Sequence, residues 1–276
     1  MTMTIAPPSL DALARQIQAA QDATRQIEPF TSQLDSFDVP AAYAVAQLVH
    51  EARLREGAHA VGRKIGFTNP DMWSLYGVRD PVWAHVYDRT VVHVAGGRHV
   101  CRLAPFAEPK IEPEIVLHFH RAPPVGADPA VLLDCIDWVA HAFEIVQSHF
   151  PGWKFRAADT VADAALHGAL LIGEPQAVAR LQPSLRSALA AFSVELVCDG
   201  SVREVGVGAN VLGSPLAALA HLVGVLARQP QALPLQAGEL VTTGTLTTAQ
   251  PVRAGQAWHT VLRGIDLPGL AVEFVD

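Results

Sequence analysis

The segment with the most chemical potential is Lys110-Ile-Glu-Pro-Glu-Ile-Val-Leu-His-Phe119. Read as a strand, it turns Glu112, Glu114, Val116 and His118 to one face and Ile111, Pro113, Ile115, Leu117 and Phe119 to the other. Carboxylates two residues apart on one face lie roughly 7 Å apart at Cα, close enough to share a cation. Spacing alone also admits a plainer reading, in which both are the solvated face of an edge strand that tolerates Pro113. A third carboxylate, Glu144 in HAFEIVQSHF, has an unusually apolar setting, and a buried acid needs a partner. Three oxygen donors without a nearby Cys suit Mg²⁺ or Mn²⁺, which would retain waters for a chelating substrate. Three carboxylates and one dication leave a formal −1, so a lysine would help to hold an anionic ligand. Lysine supplies only three of the 20 basic residues, Lys64, Lys110 and Lys154. Lys64 in GRKIGFT and Lys154 in PGWKF are the candidates, with Lys110 beside the Glu112 strand as a structural residue.

Other constellations are weaker. His118, His120, His141 and His149 raise the question of zinc, but 12 histidines are spread through the chain with no HExxH and no Cys partner. His50, His85 and His149 are possible water-activating bases, without an identifiable acidic partner. Ser148 has no His-Asp arrangement around it. Gly206-Val-Gly208 with Gly213 departs from GxGxxG and no Walker motif occurs, which argues against nucleotide binding. Thr160 with Asp163 reads as a capping box. Cys101, Cys135 and Cys198 are widely spaced and predict reduced, buried thiols in a cytoplasmic protein.

The elements that must position these residues fall into two textures. Ser9 caps a helix through Leu10, Leu13, Ile17 and Ala20, and Asp38 with Pro40 starts a second over Ala41–Arg55. A third is expected from Pro129 to about Ala142. Strands are expected at Val91–Val94, Ile115–Phe119, Ala169–Ile172, Phe192–Cys198, Trp258–Leu262 and Ala271–Val275. Asp199-Gly200 marks a hairpin. The uncharged run Val205–Ala227 breaks at Ser214-Pro215 and reads as strand end, loop and buried helix, not as a membrane span. Helices followed mainly by strands indicate an α+β fold, with residues 1–60 a helical subdomain and 61–276 a β-rich body, expected to form one integrated domain. Half of the 276 residues are hydrophobic and 17% are charged, which excludes a disordered or coiled-coil chain. The formal charge of −7 argues against a nucleic-acid surface, and the N-terminus shows no secretory signal.

Gly62-Arg-Lys-Ile-Gly-Phe-Thr68, Ile111-Glu-Pro-Glu-Ile115, Glu144-Ile-Val146 with Gly152-Trp-Lys154, and Asp159-Thr-Val-Ala-Asp163 occur in one order. Together with GVGANVLGSPLAAL and Thr242-Thr-Gly-Thr245, over roughly residues 40–276, the chain resembles the 2-keto-4-pentenoate hydratase and 4-oxalocrotonate decarboxylase group of the fumarylacetoacetate hydrolase superfamily. The resemblance implies a mixed β-roll body and a homo-oligomer, at least a dimer, serving aromatic catabolism. It implies Mg²⁺ or Mn²⁺ on Glu112, Glu114 and Glu144, binding a 2-oxo or 2-hydroxydienoic acid through its carboxylate and 2-oxygen. Lys64, Lys154 and Asp159 become the expected catalytic groups, and Thr68, Gln147, Thr243, Gly244 and Thr245 the expected substrate contacts. A hydratase is the first expectation, then a decarboxylase of a vinylogous 2-oxo diacid, then a carbon–carbon hydrolase of acylpyruvates. A binder without turnover is the remaining alternative, motivated by two departures: Gln147-Ser148-His149 stands where Asp-Ser-Arg is common. Ala164 stands where Asn is common, and Trp73, Tyr76, Trp83 and Tyr87 could wall a bulkier pocket.

Overall fold

Period-two hydrophobicity governs most of the chain after residue 60, and the computed structural model, which describes residues 8–70, 73, 78–181 and 183–276, accordingly carries fourteen strands there. In chain order they are β1 (Ala60–Gly66), β2 (Val82–Tyr87), β3 (Val91–His93), β4 (Arg98–Arg102), β5 (Lys110–Phe119), β6 (Ile136–Val146) and β7 (His167–Ile172). There follow β8 (Gln176–Ala177), β9 (Ser193–Cys198), β10 (Ser201–Val207), β11 (Leu240–Thr242), β12 (Gln250–Pro251), β13 (Ala257–Arg263) and β14 (Ala271–Val275). The larger sheet runs β2-β1-β11-β5-β6-β7-β3, with β12 also on β5 and β8 on β6; the smaller runs β10-β9-β13-β14-β4. Parallel pairs (β1·β11, β3·β7, β14·β4) occur among antiparallel ones, so both sheets are mixed.

The sheets face each other through Ile111, Phe143, Ile145 and Leu171 on one side and Leu196, Trp258, Val272 and Phe274 on the other. Burying that apolar face fixes the register of β5 and β6, because a one-residue slip would turn Glu112, Glu114 and Glu144 into the core. Strand β5 is central rather than an edge, so the solvated-edge reading of its glutamates is overturned. Pro113 is tolerated there for a specific reason. Strand β11 pairs with residues 116–118 of β5 and β12 with 110–111, leaving a gap between them. The 243–246 turn fills that gap, with Thr243 N donating to Ile115 O at 3.1 Å and Leu246 N to Pro113 O at 2.9 Å. The side of Pro113 that lacks an N–H therefore faces a turn and not a ladder.

The N-terminal helices form as their caps require. Ser9 Oγ accepts from Ala12 N ahead of α1 (Leu10–Asp22), and Asp38 Oδ1 from Ala41 N ahead of α3 (Val39–Arg55), with the short α2 (Phe30–Gln33) between them. Their apolar stripes share one cluster with Ala158, Val161 and Ala165 of the body. The helix expected over Pro129–Ala142 ends at Leu133. Asp128 caps its start, but Ile136–Val146 is a strand buried on both faces. Such a strand loses the alternation that would mark it, and its β-branched and aromatic residues suit a sheet. The Asp199-Gly200 turn has φ of 50° and 76°, the left-handed pair a two-residue hairpin needs, and it joins β9 to β10. The uncharged 205–227 run resolves into the end of β10, a short 3-10 turn and the helix Pro215–Arg228, capped by Ser214 and packed in the core through Leu216, Leu219, Leu222 and Val223. The three cysteines are free and buried.

Candidate metal centre

Glu112 and Glu144 are register partners across β5 and β6, and Glu114 lies one repeat along β5 on the same face. One carboxylate oxygen from each residue lies within 4.8 Å of the other two. Glu114 and Glu144 are fully buried, while Glu112 is half-buried and opens onto a cleft of about 880 Å³. The cluster thus forms the floor of that cleft.

Each carboxylate is oriented by a different part of the chain. Glu114 Oε2 accepts from Thr242 Oγ1 and from Gly244 N at 2.8 Å. Gly244 has φ 97°, and a Cβ there would lie 2.1 Å from Thr68 Oγ1, so only glycine lets the turn press against Thr68. Glu114 Oε1 is buried with no hydrogen-bond partner among the described residues. Glu144 Oε1 meets His167 Nδ1 at 2.6 Å, and His167 Nε2 meets Thr90 Oγ1 at 2.8 Å. Glu144 Oε2 lies 3.1 Å from Lys64 Nζ. Lys64 reaches it from β1, whose Gly62 passes so close to Leu240 that a Cβ would lie 2.0 Å from the Leu240 carbonyl oxygen. Beneath the cluster, His141 Nδ1 donates to Glu114 O at 3.0 Å, and Thr260 of the smaller sheet lies 2.8 Å from its Nε2. Burial holds the His141 imidazole neutral, with its pKa lowered to about 4.

The charges divide within the cluster. Burial pushes Glu112 up to about 7, opposed by Lys64 and reinforced by Glu144. Burial, then Glu144 and Glu112, raise Glu114 well above the carboxylate range. Burial would raise Glu144 too, but Lys64 and His167 outweigh it and hold Glu144 down at about 2. Burial opposes the charge on Lys64, yet Glu144, Glu112 and Glu114 together raise its pKa, so it stays an ammonium. Three fully ionised carboxylates and one ammonium leave a formal −2, and Glu114 Oε1 is buried without a hydrogen-bond partner among the described residues. A hard divalent cation fits both the charge and the donor set.

The other expected site residues divide. Thr68, Gly244 and Thr245 line the cleft, Thr245 Oγ1 donating to Thr247 O at 2.9 Å. Thr243 is buried beneath it and donates from Oγ1 to Ile115 O at 3.1 Å. Gln147 faces away: its Oε1 accepts from Ala107 N at 3.1 Å and its Nε2 donates to His167 O at 3.4 Å. Lys154 is exposed and lines a separate surface depression with Glu28, Thr31 and Arg156. Asp159 is buried away from the metal ligands, accepting from Thr31 N at 3.0 Å, Thr31 Oγ1 at 2.6 Å and Arg156 N at 2.9 Å. Asp159 Oδ2 thus accepts from the N-cap backbone N–H of Arg156 at the helix Ala157–Ala162, and the expected Thr160–Asp163 capping box does not form: Thr160 lies within that helix and Asp163 ends it. The histidines raised for zinc disperse: His118 pairs with Asp137, His120 with Asp134 O and His149 with Asp163. His50 and His85 stack on each other at 3.6 Å, and Ser148 donates to Phe150 O at 2.8 Å. Trp73 lines the cleft, Trp83 and Tyr87 pack near α3, and Tyr76 lies outside the described residues. His167 is the residue sequence reasoning missed.

Known proteins resemble the chain over most of its length. Residues 44–268 match the family model described as fumarylacetoacetate (FAA) hydrolase C-terminal. The chain is 31% identical over 260 residues to a 2-keto-4-pentenoate hydratase of Burkholderia vietnamiensis, covering 93% of this chain and 95% of that one. It is 30% identical over 221 residues to a 4-oxalocrotonate decarboxylase of a Pseudomonas species, covering 80% of this chain and 82% of that one. A solved 4-oxalocrotonate decarboxylase from Pseudomonas putida G7, complexed with magnesium and adipate, superposes with a TM-score of 0.86 at 27% identity, over 96% of this chain and 97% of that one.

Proposed function

The chain belongs to the fumarylacetoacetate (FAA) hydrolase family, and from that premise we propose that it is a divalent-metal-dependent lyase of unsaturated 2-oxo acids, acting as a hydratase of 2-hydroxydienoates. The observation that carries the reading is the cluster of Glu112, Glu114 and Glu144 beside the Lys64 ammonium, with Glu114 Oε1 unsatisfied, on the floor of a cleft large enough for a small organic acid. Magnesium is the favoured ion, from the all-oxygen donor set and the magnesium held by the decarboxylase of similar fold. When bound, it supplies a Lewis acid for the carboxylate and 2-oxygen of the substrate.

The chain's own residues do the rest. Lys64 keeps its proton, so its ammonium opposes the negative charge that grows on the 2-oxygen as the dienol is rearranged to the conjugated ketone. Thr242 and Gly244 N hold Glu114, and His167 holds Glu144, so neither carboxylate reorganises as that charge moves. Trp73 and Leu212 supply apolar wall beside the polar floor, which limits the water reaching the dienol to what the cleft admits. Water then adds at the γ carbon. Decarboxylation is the second reading, favoured by the fold match to a decarboxylase; there the same stabilised 2-oxygen accepts the electrons left as CO₂ departs.

The test is turnover of a 2-hydroxydienoate panel and of 2-oxohex-3-enedioate with Mg²⁺, following dienol absorbance and CO₂. Dienol loss without CO₂ is expected. Release of CO₂ from the diacid replaces hydratase by decarboxylase, and activity indifferent to chelation and to Glu112→Gln overturns the metal-dependent reading.

A further inference from the structure

Residues 164–166 take a course that their side chains disfavour. Ala164, Ala165 and Leu166 have φ of 50°, 49° and 67°, three consecutive non-glycine residues in the left-handed region. Such a run persists only where its surroundings over-determine it. Its place in the chain gives it weight. Ala165 and Leu166 line the cleft, and the next residue, His167, holds Glu144.

A buried joint at Asp163 fixes the start of the run. Its two carboxylate oxygens lie 2.8 and 2.9 Å from His149 Nδ1, Oδ2 accepts from His149 N at 3.3 Å, and Oδ1 accepts from Gln21 Nε2 at 3.1 Å. Asp163 and His149 are both buried. Asp163 O accepts from Leu166 N at 2.8 Å and Leu166 O from Gln147 N at 2.9 Å, so the run is tied at both ends. The N-terminal helical segment braces the same joint from outside. Gln26 Nε2 donates to Ser148 O at 3.2 Å and Ile27 N to His149 O at 2.7 Å. With α1 and α2, these residues precede the family match, which begins at residue 44.

Burying an ionisable pair costs desolvation that apolar packing would not, and His149 Nε2 is buried with no partner among the described residues. What the pair supplies is direction. It fixes where the helix Ala157–Ala162 ends and therefore where the left-handed run begins. Ala164 is the weak link of that run, since Asn, the residue common there in the family, tolerates the left-handed region better than Ala.

We propose that the His149–Asp163 pair is a positioning joint for the metal centre: it holds Ala164–Leu166 in their left-handed course and so sets the reach of His167 to Glu144. This rests on the metal-centre reading above. Both residues act through His167 and neither is catalytic.

The test is calorimetric titration with Mg²⁺ of the wild type, His149→Leu, Ala164→Asn and the double variant, each well below its own melting temperature. His149→Leu is expected to bind Mg²⁺ about tenfold more weakly, as when the support of a metal ligand is lost. Ala164→Asn alone is expected to stay within about twofold of wild type, and in the double variant to recover most of the loss, because Asn holds the run without the joint. Wild-type Mg²⁺ affinity in a destabilised His149→Leu makes the pair structural only and overturns the proposal. A loss that Ala164→Asn does not recover overturns it too. A second measurement needs no variant, because coupling between the run and the metal is reciprocal. On Mg²⁺ loading, amide hydrogen exchange at Leu166 and Gln147 is expected to slow about tenfold more than in the smaller sheet. Equal slowing in both places overturns the proposal even where His149→Leu does not fold. A wild type that binds no Mg²⁺ removes the metal-centre reading, and this proposal with it.

Discussion

Glu112 and Glu144 face one another across β5 and β6, yet one is pushed up to about 7 and the other held at about 2. The split comes from what stands behind each carboxylate. Glu144 has Lys64 at 3.1 Å and His167 at 2.6 Å, whereas Glu112 has burial and the charge of Glu144. A cluster built this way places its unfavourable charge on Glu112 and Glu114, both of which line the cleft, where an arriving cation relieves it.

That relief predicts a pH-dependent stability. Glu112 has a folded pKa above its unfolded value of 4.5, so its contribution to the metal-free fold is present below about 4.5 and is lost as pH rises through about 7. Glu144 has the opposite sign: its contribution is present above 4.5 and is lost as pH falls toward about 2. Calorimetric melting of the metal-free protein is expected to show Tm falling between pH 5 and 8 through Glu112, with Glu114 shifted in the same direction, and falling also as pH drops below 4 through Glu144. Added Mg²⁺ is expected to remove the upper decline. A metal-free Tm that rises from pH 5 to 8 contradicts the assignment to Glu112.

Glu114 is the carboxylate with an unsatisfied buried oxygen, so Glu114→Gln is nearly isosteric and tests charge alone. The variant is expected to fold and to melt near the wild-type temperature without metal, because burial, Glu144 and Glu112 already push Glu114 toward its neutral form. Turnover is expected to drop by about 10²–10³-fold, with calorimetry showing weakened Mg²⁺ binding. Wild-type Mg²⁺ affinity in this variant would rule out Glu114 as a ligand.

His167 supports the centre from behind, bridging Glu144 and Thr90. Residues that orient a metal ligand typically carry about 10–100-fold of the metal affinity. His167→Phe is expected to lower Mg²⁺ affinity by that factor, and His167→Asn to recover part of it through its amide. An equal loss of folding stability in both variants, with metal affinity unchanged, would make His167 a packing residue only.

The legible part of this site is the part written in strand periodicity. Glu112 and Glu114 share a face because i and i+2 must, and the Asp199-Gly200 hairpin follows from backbone requirements any sequence would show. What failed had a physical cause in each case. Residues 134–142 read as helix because a strand buried on both faces has no alternation to display. His167 gave no signal because it meets Glu144 only through the β6–β7 register, 23 residues away in sequence.

Lys154 and Asp159 are both expected catalytic groups, and the structure gives each a different place. Lys154 is exposed on another face, so Lys154→Ala is expected to keep turnover within about twofold of wild type. Asp159 ties α2 to the helix Ala157–Ala162 through Thr31 and Arg156, and all three donors (Thr31 N, Thr31 Oγ1 and Arg156 N) lose it when it is removed. Asp159→Ala is therefore expected to cost about 2–3 kcal/mol of stability, from a lost cap and a lost charge-assisted contact. Denaturant melts separate this from a catalytic role. A destabilised Asp159→Ala that retains most of its kcat below its melting range confirms the structural assignment. A fully stable variant with kcat reduced a hundredfold would return Asp159 to the reaction.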